Sequence, residues 1–409
     1  LAKVSNLLAL DGKTNVAVNA SSVNSITDTI VNLNTAYNST GMVGLGNENI
    51  TITNTGTITS AQINDLLPET SGTITLAGSG SLAITVASGE TLDLSGVTNS
   101  LSGNLSITDS TGNETITGTS ANDTLTLSSG NDTVNLGNGS DTINTTISNL
   151  DTSDNISDGG STGSDTLNIT NSGTINSANL IDVNGIETLN LSSGADTITF
   201  ADTTQFNAFR NEFTDIVDAG GSDTLSFGSS AVTGDLDFSK LSEFETLNLS
   251  SNDDNLTISG DEPATINGLA GNDTFSLDFS SIRNLDGGAN TDTVSLTGNT
   301  GSISSDTDFN ESSIFTNIEK LDITSLNLNT SDNNTEFNFT EAMIDAWTGN
   351  ATGNLTLSLT SSQVEKIKFT DSSSTVHDSY NAGTSSDIHD NTVYTIGDNT
   401  LTIDITDVP

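Results

Sequence analysis

Four acidic residues recur at nine-residue intervals: Glu114, Asp123, Asp132 and Asp141. Each is followed by a threonine and then by an apolar residue, Ile116, Leu125, Val134 or Ile143. The chemistry that suits this pattern is the binding of a hard cation. A six-residue turn offers backbone carbonyls and one carboxylate, and the apolar residue then enters a short strand. The segment Leu136-Gly137-Asn138-Gly139-Ser140-Asp141-Thr142-Ile143-Asn144 departs from the nonapeptide form GGxGxDxUx only at its first position. Two such units make one coil of 18 residues, which pairs Glu114 with Asp132 and Asp123 with Asp141. Stacked carboxylates repel, whereas Ca2+ takes about six to eight oxygen ligands at ~2.3–2.6 Å. Zinc is disfavoured, because the chain has no cysteine and only 2 histidines. The alternative is a metal-free ladder in which Asp merely closes turns. Ala121, Ser128 and Ser129 stand where the repeat has glycine.

The same chemistry extends outward from this block. Three Gly-rich acidic turns, 158–165, 218–223 and 286–292, place Asp158, Asp165, Asp218, Asp223, Asp286 and Asp292 as further ligands. Each leads into a strand and later into a second one, GIETLNL at 185–191, EFETLNL at 243–249 and NIEKLDI at 317–323. The nine-residue phase returns from Glu187 to Asp196 and from Glu245 to Asp254, and Asp273 opens another strand, so Asp196, Asp254 and Asp273 join the candidates. Asp154 stands off the phase and serves as a non-ligand control.

The elements that must position these acids are strands. Thr188-Leu189-Asn190-Leu191 and Asp273-Thr274-Phe275-Ser276-Leu277 alternate apolar and polar residues, so one face is buried and one is wet. Short strands at fixed spacing predict an all-β chain built as a parallel β-helix or β-solenoid with short helical connectors. A β-sandwich is the alternative, and the terminal parts are the candidates for it. Helical spacing predicts connectors over Ser25–Tyr37, Ser60–Leu67 before Pro68, Phe206–Phe213, and Glu341–Trp347 capped by Thr340. Four regions follow: 1–110, β-rich; 111–150, the nonapeptide block; 151–330, three tandem modules; and 331–409, a β domain closed by a hairpin over Val393–Asp404.

Composition narrows the function. There are 53 acidic and 8 basic residues, a net charge of −45. Phosphate binding needs clustered Lys and Arg, so nucleic acid is not expected as a partner. No apolar run approaches the ~18 residues of a membrane span. Low hydrophobicity with high charge is a mark of disorder, but the surplus here is Thr, Ser, Asn, Asp and Gly between Ile, Leu and Val, with only 3 Pro. That mixture suits ordered short strands and tight turns, with bound ions offsetting the repulsion. No nucleophile, phosphate-loop or metalloprotease motif is present, and His377 and His389 fall in a Ser/Asp-rich stretch read as a solvated loop. The chain is not expected to be an enzyme.

The block Gly130-Asn131-Asp132-Thr133-Val134-Asn135-Leu136-Gly137 resembles the RTX family of secreted calcium-binding proteins. The GIETLNL strands and Gly-rich acidic turns are similar to those of RTX-related bacterial S-layer proteins and large surface adhesins, and 33–52 to repeats of giant cell-surface proteins. The resemblance implies type I secretion without a cleaved N-terminal signal, an extracellular or cell-surface location, and Ca2+ held chiefly by Asp123, Asp132 and Asp141. Two functions fit. The first is a structural subunit of an S-layer or surface filament that self-associates through Ca2+. The second is an adhesin or fibre module recognising a cell-surface polysaccharide or another cell. One Trp and three Tyr leave no aromatic platform for sugar, which favours the first.

Overall fold

Alternation of apolar and polar residues decides the architecture. The computed structural model describes residues 2–157, 160–181, 183–260, 263–278, 284–299, 314–327, 337–350, 352–377 and 387–407. Nearly every strand pairs in parallel with the strand one coil away. The chain divides into two compact units, Leu1–Asp196 with Ala208–Gly221, and Thr197–Asn207 with Ser222–Pro409.

In the first unit an eight-stranded parallel sheet runs from Gly56–Thr59 to Asp215–Val217, and a five-stranded sheet from Thr91–Asp93 to Val183–Asn184 takes intervening strands. Successive side chains of a strand point to opposite faces, so a parallel register stacks like on like. Ile107 pairs with Leu125, Leu125 with Ile143, Ile143 with Leu167, and Leu167 with Leu189. All five are sealed from solvent, as are Ile116 and Val134 on the other sheet. Each such burial is worth about 1.5–3 kcal/mol, and this column holds strands of three or four residues that could not stand alone. Leu125→Ala is expected to cost about 2–5 kcal/mol of unfolding free energy in denaturant titration of the calcium-loaded protein. A loss under about 1 kcal/mol would place Leu125 outside the core.

Residues before 110 are stacked coils too, not a sandwich. Ser25–Asp28, Asn49–Ile52, Ile74–Gly78 and Val97–Leu101 pair in parallel. Their longer coils accommodate three helices, α1 (Val4–Asp11), α2 (Ile30–Tyr37) and α3 (Ser60–Leu66). The helix expected over Ser25–Tyr37 starts only at Ile30. Thr29 caps it by accepting a hydrogen bond from the Asn32 N–H, and Ser25–Asp28 is a strand. Ile26 belongs to the strand period as well as to the helical one, and parallel pairing with Ile50 decides between them. At α3 a Thr59–Gln62 capping box starts the helix and a 3-10 turn carrying Pro68 follows it. Helix α4 (Thr203–Glu212) takes up the expected Phe206 and Phe209 but ends one residue before Phe213, which is buried just beyond it.

The second unit repeats the design. One parallel sheet runs from Thr233–Asp237 through Asn354–Leu359 to Asn399–Ile405, and another from Thr197–Phe200 to Phe315–Thr316. Phe206 packs against Phe227 and Phe238 at ring separations of 5.8 and 5.5 Å. Helix α5 (Glu341–Trp347) is capped by Thr340, which accepts from the Met343 N–H at 3.3 Å. Thr392–Ile396 folds back antiparallel on Asn399–Ile405 through Gly397, which takes a positive φ of 62°, and closes the sheet as a hairpin.

His377 is a correction. It is 4% exposed, stacked on Phe369 at 4.9 Å and beside Tyr394 at 4.7 Å, with Nε2 3.1 Å from Asp371 Oδ2. Antiparallel pairing of His377 with Phe369 puts the imidazole on the aromatic side of a small sheet, where it packs as a core residue. His389 is exposed.

Candidate metal centre

The acids that close the turns do not point to solvent. They continue the buried columns of the strands. Leu82 pairs with Leu105 and Leu105 with Asp123, so the column changes from leucine to carboxylate at Asp123. A carboxylate there must be hydrogen-bonded or neutralised, since desolvating a lone charge is costly.

Asp123 accepts from the Thr119 N–H of its own turn at 2.7 Å, whereas one oxygen of each of the following acids is satisfied by a backbone N–H of the coil before. Asp141 Oδ1 accepts from the Asp123 N–H at 2.7 Å, Asp165 Oδ1 from Asp141 at 2.6 Å, and Glu187 Oε2 from Asp165 at 2.8 Å. In the parallel column Glu114 Oε1 accepts from the Gly89 N–H at 2.7 Å, Asp132 Oδ1 from Glu114 at 2.8 Å, and Asp154 Oδ1 from Asp132 at 3.0 Å. The first step of each set from Asp123 and Glu114 spans 18 residues. Asp154 is therefore a member of the ladder and not an off-phase residue. Its step from Asp132 is 22 residues, because a 3-10 turn at Ile147–Asn149 lengthens that coil and shifts the nine-residue count.

The other oxygens make the site. Asp109, Glu114 and Asp132 are all buried, and their carboxylates lie within 4.8 Å of one another. Asp109 Oδ1, Glu114 Oε2 and Asp132 Oδ2 are sealed from solvent and accept no hydrogen bond within the protein. Burial, with the neighbouring carboxylates adding to it, raises the Asp109 carboxyl to about 7 and that of Asp132 to about 6. Three orphaned hard oxygens with no nitrogen or sulfur donor suit Ca2+ and not zinc. Bound there, the ion would offset two of the trio's three charges and tie the turn 109–114 to the turn that ends at Asp132.

Asp109 was not among the residues singled out from the sequence. It opens the six-residue turn that Glu114 closes, where the next turns carry Gly118, Leu127 and Leu136. An acid at that place was the available signal. Glu187, Glu245 and Glu319 are ladder members for a similar reason. Each immediately precedes a strand, as the turn aspartates do.

Asp123 is raised to about 6, chiefly by burial. Gly118 leaves room for it: a Cβ at 118 would stand 2.8 Å from Asp123 Oδ2 and collide with the Leu136 carbonyl of the next coil. Asp196 is buried and accepts from the Gly173 N–H and the Ser192 hydroxyl, each at 2.9 Å, with a carboxylate oxygen within 4.8 Å of one of Asp218. Asp158 lies outside the described residues.

In the second unit Asp223 donates its N–H to Glu245 Oε2 at 2.7 Å. A longer ladder runs from the Val232 N–H to Asp254 Oδ1 at 2.6 Å, then from Asp254 to Asp273 and from Asp273 to Asp292 at 2.8 Å each, and from Asp292 to Glu319 Oε2 at 2.9 Å. Asp273 Oδ2 and Asp292 Oδ2 are again sealed and unpaired. Burial raises Asp273 to about 6 and Asp292 to about 7, and it raises Asp254 as well. A Cβ at Gly287 would come 2.7 Å from Asp292 Oδ2, so glycine is what lets turn and carboxylate meet. Asp286 is not part of this ladder; its Oδ1 accepts from the Gly288 N–H at 3.0 Å and the Asn317 amide at 2.7 Å, bracing the turn.

The family model of the RTX calcium-binding nonapeptide repeat, in four copies, matches residues 108–143. The matched stretch contains Asp109, Glu114, Asp123, Asp132 and Asp141. No curated protein and no solved structure matches the chain significantly. The nonapeptide block is a calcium-binding repeat, and its fold is the parallel roll that such repeats build.

Proposed function

We propose that the chain is a structural subunit of an extracellular surface layer or filament, exported by a type I-like route, whose fold and self-association both depend on Ca2+. The observation that carries this reading is the buried carboxylate ladder. Acids with orphaned oxygens line the turns of the nonapeptide block and recur outside it, at Asp273 and Asp292. So extensive a set of ion sites belongs to a scaffold that folds where calcium is plentiful, rather than to one reaction centre. Calcium-binding nonapeptides are typical of secreted proteins, and no described helix is long and apolar enough to cross a membrane.

Assembly follows from the charge. With 8 basic residues against 53 acidic ones, few ion pairs can form across a contact between copies. Like surfaces repel over a Debye length, ~8 Å at physiological salt. Calcium-loaded protein is therefore expected to form sheets or filaments under the electron microscope and to scatter light, whereas NaCl at matched ionic strength leaves it dispersed. Equal assembly in sodium alone would show that screening suffices. A calcium-loaded protein that stays monomeric and binds polysaccharide would turn the reading to an adhesin.

A further inference from the structure

Most acids of the first unit lie in turns and columns; on the surfaces of its eight-stranded sheet and of the five-stranded sheet that starts at Thr91–Asp93, the outward acids are Asp215 and Asp93, each on an end strand. On the eight-stranded sheet, every outward position from Gly56–Thr59 to Thr188–Asn190 is Thr, Ser, Asn, Ala or Gly. Thr124, Thr142 and Thr166 form one row, and Thr126, Asn144 and Asn168 the row beside it. All six are at least partly exposed. Asn168 donates its amide to Asn144 Oδ1 and Asn190 donates to Asn168 Oδ1, each at 2.8 Å, so these side chains are already ordered. The five-stranded sheet shows the same chemistry: its outward positions from Thr115–Thr117 to Asn155–Ser157 are all Thr, Asn or Ser. The two sets of rows point away from a core that both sheets seal with leucine, isoleucine and valine.

We propose that the uncharged stretches of these two faces, bounded by Asp93 on one and Asp215 on the other, are the lateral contact surfaces on which a second copy of this chain stacks, an inference that rests on the assembly reading above. In a chain of net charge −45, a contact between copies needs a face where no carboxylate meets another. Preordered amides and hydroxyls then hydrogen-bond across the contact at little cost in side-chain freedom. A sugar chain is the weaker occupant, because neither set of rows offers an aromatic ring to stack on. Seven strands at ~4.8 Å make a strip about 30 Å long and two side chains wide. That area falls short of the ~800 Å² per partner of a stable pair. One contact is thus weak, and two faces per molecule let copies add in succession, so assembly depends steeply on protein concentration.

The test compares Thr124→Glu/Thr166→Glu and Thr115→Glu/Thr133→Glu with a control of equal added charge, Ser229→Glu/Ser230→Glu, in which both sites are exposed. Melting temperature and bound calcium are read first, then light scattering in Ca2+. The control is expected to assemble like the wild type, while each face variant keeps its calcium and melting temperature yet needs at least tenfold more protein to assemble. Face variants that assemble at the wild-type concentration would overturn the inference and leave the calcium reading standing. A wild type that binds calcium and never assembles would remove both this inference and the assembly reading. If a Glu variant melts early, single thiols decide, since the chain has no cysteine of its own. A Thr126→Cys thiol should react about tenfold more slowly in assembled protein, and a Ser230→Cys thiol should not; equal rates at both positions in assembled protein would also overturn the proposal.

Discussion

Calcium-stripped protein at pH 8 is expected to melt on the order of 20 °C below the calcium-loaded form. A ligand at ~1,000 times its dissociation constant stabilises the folded state by about 4 kcal/mol per site. One kcal/mol moves the midpoint of a unit of 150–250 residues by about 2–4 °C, and more than one site is at stake. The two forms should also respond to pH with opposite signs. Asp109, Asp123, Asp132, Asp273 and Asp292 are raised from 3.8 to about 6 or 7, first of all by burial. A carboxyl raised in the folded state contributes stability that is whole below its unfolded value and is lost as pH climbs through its folded value. Without calcium the protein therefore weakens between pH 5 and 8. With calcium the ligands must be ionised to bind, so stability rises over the same interval. Thermal scans at pH 5, 6.5 and 8 check both halves. Stripped and loaded curves that superimpose at pH 8, or a stripped form that gains stability toward pH 8, would contradict the ladder as an ion-binding device.

What was legible in the sequence follows from where coils are uniform. Between 105 and 144 nothing interrupts the 18-residue coil, so Glu114 over Asp132 and Asp123 over Asp141 could be read from spacing alone. Once a coil takes an insertion, counting fails while the register survives, because hydrogen bonds between strands set the register and extra residues are accommodated in the turn. Asp154 is the instance: four additional residues place it out of phase, yet its carboxylate meets the Asp132 N–H. Asp109 escaped notice for a different reason. A nonapeptide pattern counts the acid that closes a turn, and Asp109 opens one. Its role is visible only when three side chains from two coils meet in space. The N-terminal coils looked unlike the rest because helices stand in their connections, although their strands pair by the same rule. His377 was read from its polar neighbours in the chain, but its environment is made by Phe369 and Tyr394 from other strands.

Asp132→Asn should separate the ion from the fold more sharply than deletion would. Asparagine keeps the Oδ1 that accepts from the Glu114 N–H at 2.8 Å, so the coil-to-coil hydrogen bond survives. It replaces the orphaned Oδ2 by an amide that can donate to the carboxylates of Asp109 and Glu114, both within 4.8 Å. In calcium-free protein the change removes a buried charge and its repulsion, so the melting temperature should hold or rise by a few degrees, roughly what 1 kcal/mol brings. In calcium the same change removes one of three carboxylate ligands, and the trio's ion should bind at least tenfold more weakly, with the gain in melting temperature on adding calcium cut accordingly. Thr124→Ala, outward on the neighbouring strand, should leave both values as they are. Isothermal calorimetry counts the ions and thermal scans give the two midpoints. Destabilisation of Asp132→Asn by the same amount with and without calcium would mean that Asp132 serves only the backbone, and that the nonapeptide block takes its calcium elsewhere.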